Sequence, residues 1–237
     1  MHEQRRRQLE ELLAADAEHG PRMSRICACL VAELAVTGAG ATVLTHLNDG
    51  DGHDPGRGLV HSSNEVSAGL EDLQLTVGEG PCLDTFNSGG PVLIADLAAE
   101  TSRWPAFTRE ALELGAAAVF SFPMQVGVVR LGSLDCYRDA AGPLTQAQVA
   151  DALILAELAT HAVMSELDGH DTDDVSWLAD SHAEVHQATG MVAVQLAAST
   201  ETALMRLRGY AYTNQVPLAE VARQVVARTL RFSPDQP

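Results

Sequence analysis

The chain contains no lysine: all 15 of its basic residues are arginine. That absence excludes a P-loop of the GxxxxGKS/T type, whose lysine reaches the phosphates, and any Schiff-base lysine. Cysteine is scarce, with four in 237 residues, too few for the disulfide framework of a secreted domain. Long apolar runs are missing as well. The most apolar stretch, 116–129, is interrupted by Ser121, Pro123, Gln125 and Gly127 and cannot cross a bilayer as a helix. Arg5, Arg6 and Arg7 lead into glutamate-rich helical sequence, not into an apolar signal core. The expectation is a cytoplasmic protein with no membrane partner. Apolar residues make up 46% and charged residues 20%, which suits a folded chain and excludes wholesale disorder.

Bases are outnumbered, and unevenly so. The net charge is −17, yet residues 182–237 hold four acids and five arginines, a net +1, which leaves −18 on residues 1–181. Such asymmetry points to division of labour, and only the C-terminal quarter is suited to meet a polyanion.

Hydrophobic periodicity sets out the elements. Residues 4–17 read as an Arg/Glu helix, and a second helix runs from a Ser24 cap to about Val36. Strand alternation follows over 41–47, then a Gly/Asp/Pro-rich hairpin loop at 48–58 and a weak return strand at 59–62. Next come a helix at 66–75, the turn GEGPC at 78–82 opening a short helix, a strand at 91–97, a helix at 104–114 and two strands at 116–126 and 128–137. Strands joined by hairpins argue for an antiparallel sheet with flanking helices. Pro143 precedes a long helix, 145–167, whose apolar stripe is wide enough for two buried faces, one of them available to a second copy of the chain. The acidic stretch DGHDTDD at 168–174 reads as a linker. Three further helical patterns follow: 177–196, then one capped by Ser199 or Thr200 and ended by Asn214, then one from Pro217 to about Leu230. The expected division is 1–167, a linker at 168–175, and a three-helix module at 176–237.

Chemistry-bearing motifs are few. HAEVH places His182 and His186 at i, i+4, but Ala183 stands where a zinc protease needs glutamate. Asp49, Asp51 and Asp54 fail the calcium-loop spacing, since Asp54 and Val60 fall where Gly and Glu are required. Cys27, Cys29 and Cys136 read as buried small hydrophobes. Cys82 is placed in the first turn of a helix, where free N–H groups favour a thiolate, and Gly78 and Gly80 beside it shape a turn able to cradle an anion. These three residues form the candidate ligand or redox site. No catalytic constellation is present, so an enzyme is not expected.

The runs LQLTVGEGPCLDTFNSGGPVLIADL (73–97), RWPAF (103–107) and AVFSFPMQVGVVRLGSLDCYRD (118–139) resemble a GAF domain of the kind found in actinobacterial regulators. EVHQATGMVAVQL (184–196), ALMRLRGYAYTN (203–214) and PLAEVARQVVARTL (217–230) resemble an ANTAR domain, an RNA-binding module of transcription antiterminators. Ala188, Gly190, Met191, Ala203, Leu207, Arg208, Ala211, Leu218, Val221 and Ala222 stand at its recurrent positions. Thr189 stands where such domains commonly carry lysine. The resemblance implies an α+β fold: a GAF-like antiparallel sheet with flanking helices, then a C-terminal three-helix ANTAR module. It implies a homodimeric regulator that senses a small molecule or redox signal of undefined identity and binds RNA hairpins. Arg206 and Arg208 flank Leu207, Tyr210 and Tyr212 are suited to stack on loop bases, and Arg223 and Arg228 follow on the last helical pattern. With Thr189 they make up the expected RNA contact set. The alternative is a sensing regulator whose C-terminal module binds protein instead.

Overall fold

The computed structural model describes residues 2–15, 20–45, 56–168 and 183–233. The calcium-like aspartates, His182 and the expected linker beyond Asp168 lie outside the described residues. The elements are α1 (His2–Ala15), α2 (Arg22–Leu34), β1 (Gly38–Thr45), β2 (Gly56–Ser62), α3 (Glu65–Val77), α4 (Pro81–Ser88) and β3 (Val92–Ile94). They continue with α5 (Pro105–Glu113), β4 (Ala118–Val126), β5 (Val129–Arg138), α6 (Gln146–Asp168), α7 (Ala183–Leu196), α8 (Thr200–Asn214) and α9 (Leu218–Val226).

The five strands form one sheet in the order β2-β1-β5-β4-β3, every pair antiparallel, as the hairpin pattern requires. Alternation in β4 sends Phe120, Phe122 and Met124 to one face, where they pack with Ile26 and Leu30 of α2 and Leu155 and Ala159 of α6. Val119, on the opposite side of β4, packs with Leu70 and Leu73 of α3 and Phe107 of α5. Helices on both faces explain why β4 is nearly continuously buried. Pro123 is tolerated in β4 because β3 pairs only as far as Ser121, which leaves that end of the strand without a neighbour on one side.

Several boundaries differ from the sequence reading for local reasons. Strand β3 is three residues long, because the Asp96 carboxylate accepts the Ala98 N–H and turns the chain into a 3-10 turn at Leu97–Glu100. Helix α2 starts after Pro21 without the Ser24 side chain as cap. Helix α9 stops at Val226, so Arg228 and Arg231 lie beyond it. The breadth of the apolar stripe on α6 is accounted for within the chain, since the sheet covers one side and α1 and α2 the other. The window Gln146–Ser165 is long and apolar enough to cross a membrane by composition, but 56% of it is buried in this fold, as a core helix would be.

The N-terminal arginine run is a clamp. Arg5 donates to both carboxylate oxygens of Asp151 on α6, at 2.9 and 2.8 Å, and also pairs with Glu33 on α2. Arg6 reaches Glu157 at 2.8 Å. Both carboxylates hold the Arg5 guanidinium more firmly protonated than usual, the Asp151 hydrogen bond contributing most.

Cys27, Cys82 and Cys136 are buried, and Cys29 is half-buried on α2. Cys82 does open a helix, but with no exposed surface it has no route to a reagent, so the expected reactive thiolate is not placed where one works. Burial pushes the Cys29 thiol up to about 11 and the Cys27 thiol up to about 12. A thiol at about 11 is roughly one part in a thousand thiolate at pH 8. In folded protein Cys29 is therefore expected to alkylate first, slowly at pH 8 and about tenfold faster per pH unit up to pH 10. Mass spectrometry of timed alkylation checks this; labelling of Cys82 ahead of Cys29 contradicts it.

Gly132 sits where β5 passes between β1 and β4. A Cβ there would lie 1.9 Å from the Thr42 carbonyl oxygen. Gly132→Ala is expected to cost about 3 kcal/mol or more, the upper end for forced overpacking, read as a drop in the urea midpoint at unchanged slope.

Candidate functional site

Small residues let the three C-terminal helices approach closely. Val185, Ala188 and Val192 of α7 meet Ala203, Leu207 and Ala211 of α8 and Leu218, Val221, Ala222 and Val225 of α9. Ser199 caps α8, its hydroxyl accepting the Thr202 N–H. A core of this size is marginal by itself, and the N-terminal half extends it: Leu75 of α3 is buried in the same cluster.

The expected RNA contact residues do not form one surface. At 100° per residue, Arg206, Tyr210 and Thr213 share one side of α8, while Arg208 and Tyr212 lie on another. The first group, with Asn214, Arg231 and Phe232, lines an open groove of about 490 Å³. The Tyr210 ring meets Phe232 edge-on at 5.6 Å. Arg223 is held between Glu220 at 2.8 Å and Glu184 at 3.7 Å, so its charge is largely neutralised. Arg228 is exposed in a left-handed conformation after α9. Thr189 is buried, and its hydroxyl donates to the Val185 carbonyl at 2.7 Å. It therefore faces the bundle interior and does not belong to an RNA surface in this arrangement.

Arg208 and Tyr212 face the N-terminal half. Helix α3 ends at Gly78, whose φ of +73° forms a left-handed cap. The Leu75 carbonyl is among the last four of that helix and has no partner within it. Arg208 Nε donates to this oxygen at 3.0 Å, placing a cation at the helix C-terminus. A Cβ at position 78 would stand 2.9 Å from Arg208 Nη1, so glycine both turns the chain and seats the guanidinium. Nearby, Arg109 of α5 donates to the Tyr212 hydroxyl at 3.1 Å, its guanidinium 5.8 Å from the ring centroid. Neither Leu75 nor Arg109 was legible as an interface residue, because each partner lies more than 100 positions away.

The GEGPC turn is a junction of helix ends, not an open anion cradle. Glu79 accepts the Ala106 and Phe107 N–H groups at 2.7 and 3.0 Å, capping α5. Gln74 Oε1 accepts the Cys82 N–H at 2.8 Å at the start of α4. A Cβ on Gly80 would come within 2.6 Å of that same oxygen. The backbone donors of Gly78 and Cys82, expected to hold a ligand, are thus engaged with the backbone and side-chain oxygens of Gln74.

Behind the turn, between α3 and the sheet, lies a cavity of about 20 Å³ lined by Gly40, Glu71, Gln74, Phe107, Asp135 and Tyr137. It has room for about one water, whereas small-molecule pockets measure roughly 300–1,000 Å³. Its lining is mostly apolar, with the Glu71 and Asp135 carboxylates among it, and these accept from neighbouring hydroxyls: Thr42 donates to Glu71 at 2.8 Å and Ser133 to Asp135 at 2.6 Å. Among the described residues no cluster of three or more His, Cys, Asp or Glu is arranged to hold a metal.

The family model of the ANTAR domain matches residues 179–226. No curated protein matches the chain. Among solved structures, the chain resembles the GAF domain of a phosphoenolpyruvate-protein phosphotransferase from Acinetobacter, with TM-score 0.52 and 11% identity, over 70% of this chain and 95% of that one. The corresponding GAF domain from Coxiella burnetii gives TM-score 0.50 and 18% identity, over 71% and 95%. An N-acylhomoserine lactone-dependent LuxR-family transcription factor from Burkholderia cenocepacia gives 0.53 and 18%, over 68% and 96%. At these identities the likeness is one of fold. The C-terminal helices thus carry an ANTAR-domain match over residues 179–226, and the antiparallel sheet between two helical layers has a GAF-like fold.

Proposed function

We propose that the protein is a cytoplasmic transcription antitermination regulator whose ANTAR half binds RNA hairpins and whose GAF half answers a small-molecule signal. Binding and regulation, not catalysis, are its role in this reading. The observation that carries it is the groove beside α8, where Arg206 and Arg231 border Tyr210 and Asn214. Guanidinium groups suit phosphates, an aromatic ring suits an unstacked loop base, and an amide suits a base edge. The net +1 of residues 182–237 on a chain of −17 supports this placement. Helix α3 forms one wall of the cavity and also carries the contact to α8, so a ligand that enlarges the cavity against α3 reaches the C-terminal helices. The proposed assembly is a homodimer; Leu12 on α1 and Leu153 and Met164 on α6 are large apolar side chains left exposed for a second copy.

The test is fluorescence anisotropy of the full chain against a library of labelled RNA hairpins. Tyr210→Ala is expected to weaken binding about tenfold, within the range for losing one stacked base. Arg206→Ala is expected to act similarly, and Arg223→Ala to change affinity less than twofold, since its charge is already paired. The salt dependence should be shallow, because few phosphates are neutralised. Absence of binding to every hairpin overturns the RNA reading and favours a protein partner for the groove.

A further inference from the structure

The arginine that the sequence ties to the ANTAR pattern is the same one that closes the C-terminus of α3. Its Nε is 3.0 Å from the Leu75 carbonyl, and its Nη1 and Cζ lie directly over Gly78. One turn further along α8, Tyr212 takes the hydrogen bond from Arg109. The cleft beside this contact, about 840 Å³, is bordered by Asp72 of α3 and by Glu110 and Glu113 of α5, as well as by Tyr212 itself. A phosphate backbone approaching this side of α8 meets the body of α3 and three carboxylates, of which Glu110 pairs with Arg109 in the same cleft. It also finds Arg208 already committed to a helix terminus.

We propose that the seat at the end of α3 is an autoinhibitory latch: the GAF half and RNA compete for the Arg208–Tyr212 side of α8. This rests on the reading of the C-terminal module as an RNA binder. In the latched arrangement only the Arg206–Tyr210 groove is offered, which gives weak RNA binding. Release of α8 from α3 adds the second cation and the second tyrosine to the RNA surface. The latch also gives the LTVGEG segment (75–80) a role, since Leu75 and Gly78 supply the carbonyl, the apolar plug and the open backbone that receive Arg208.

The experiment compares the full-length wild type with Gly78→Ala, Arg109→Ala and Arg208→Ala. Hydrogen exchange of the α8 amides reports the latch, and hairpin anisotropy reports RNA affinity. Gly78→Ala places a Cβ against Arg208, and Arg109→Ala removes the hold on Tyr212 from an exposed site, so one remains informative if the other misfolds. Both are expected to speed α8 exchange and to tighten RNA binding about fivefold or more. Arg208→Ala is expected to speed exchange without a gain in affinity, because it removes the contested group. Faster exchange with unchanged or weaker RNA binding in Gly78→Ala and Arg109→Ala overturns the latch, as does unchanged exchange in all three. If the wild type and every variant fail to bind any hairpin while exchange quickens, the RNA reading falls and the latch with it. That result is distinguishable because the wild type alone already reveals it.

Discussion

Three helix termini with unmet backbone groups converge on five residues, and the arrangement of the molecule follows from how those groups are met. Helix α3 ends, α4 begins, α5 begins nearby, and α8 sends in a side chain. Backbone donors and acceptors at helix ends must find partners when they are buried. Here Gly78 N–H closes on Gln74, Glu79 answers two donors of α5, Gln74 answers the first of α4, and Arg208 answers an acceptor of α3. The two charged partners carry the sign that the helix macrodipole favours, an anion at the N-terminus of α5 and a cation at the C-terminus of α3. The turn thereby joins the sheet and the helical module through helix-end hydrogen bonds.

Charge is handled locally in both halves, which is how a chain of −17 folds with few bases. Arg5 and Arg6 each join separate helices through carboxylates, and Arg103 pairs with Asp84 beside α4. Arg223 is similarly absorbed by Glu184 and Glu220. The other arginines of the C-terminal half lie on α8 and in the segment after α9.

Local physics was legible in the sequence, and distant pairing was not. Alternation in 116–126 and 128–137 identifies β4 and β5, and Ser199 marks the start of α8, because period and capping are properties of adjacent residues. The small apolar positions Ala188, Ala203, Leu207 and Ala211 identify the bundle core for the same reason. The candidate site fared less well. Thr189 lies inward because it shares the helix face of Val185, Ala188 and Val192, and its hydroxyl is met there by bonding back to its own helix, an option open to threonine at any helical position. Cys82 has the helix-start geometry that its glycine and proline neighbours announce, yet its burial depends on β4 and β5 packing over α4, which no local pattern encodes. Arg208 and Tyr212 look like their neighbours Arg206 and Tyr210 in the sequence; only docking against α3 and α5 separates them.

The fit of Arg208 over Gly78 ties the inheritance of the two halves together. A residue with a Cβ at 78 evicts the guanidinium, a shorter side chain at 208 leaves a helix terminus unmet, and a polar residue at 75 breaches the core of the other half. Positions 75, 78 and 208 are thus expected to drift only in concert among descendants of this chain. Grafting its C-terminal helices onto another domain is expected to keep the Arg208 seat only where that domain ends the corresponding helix in a left-handed glycine.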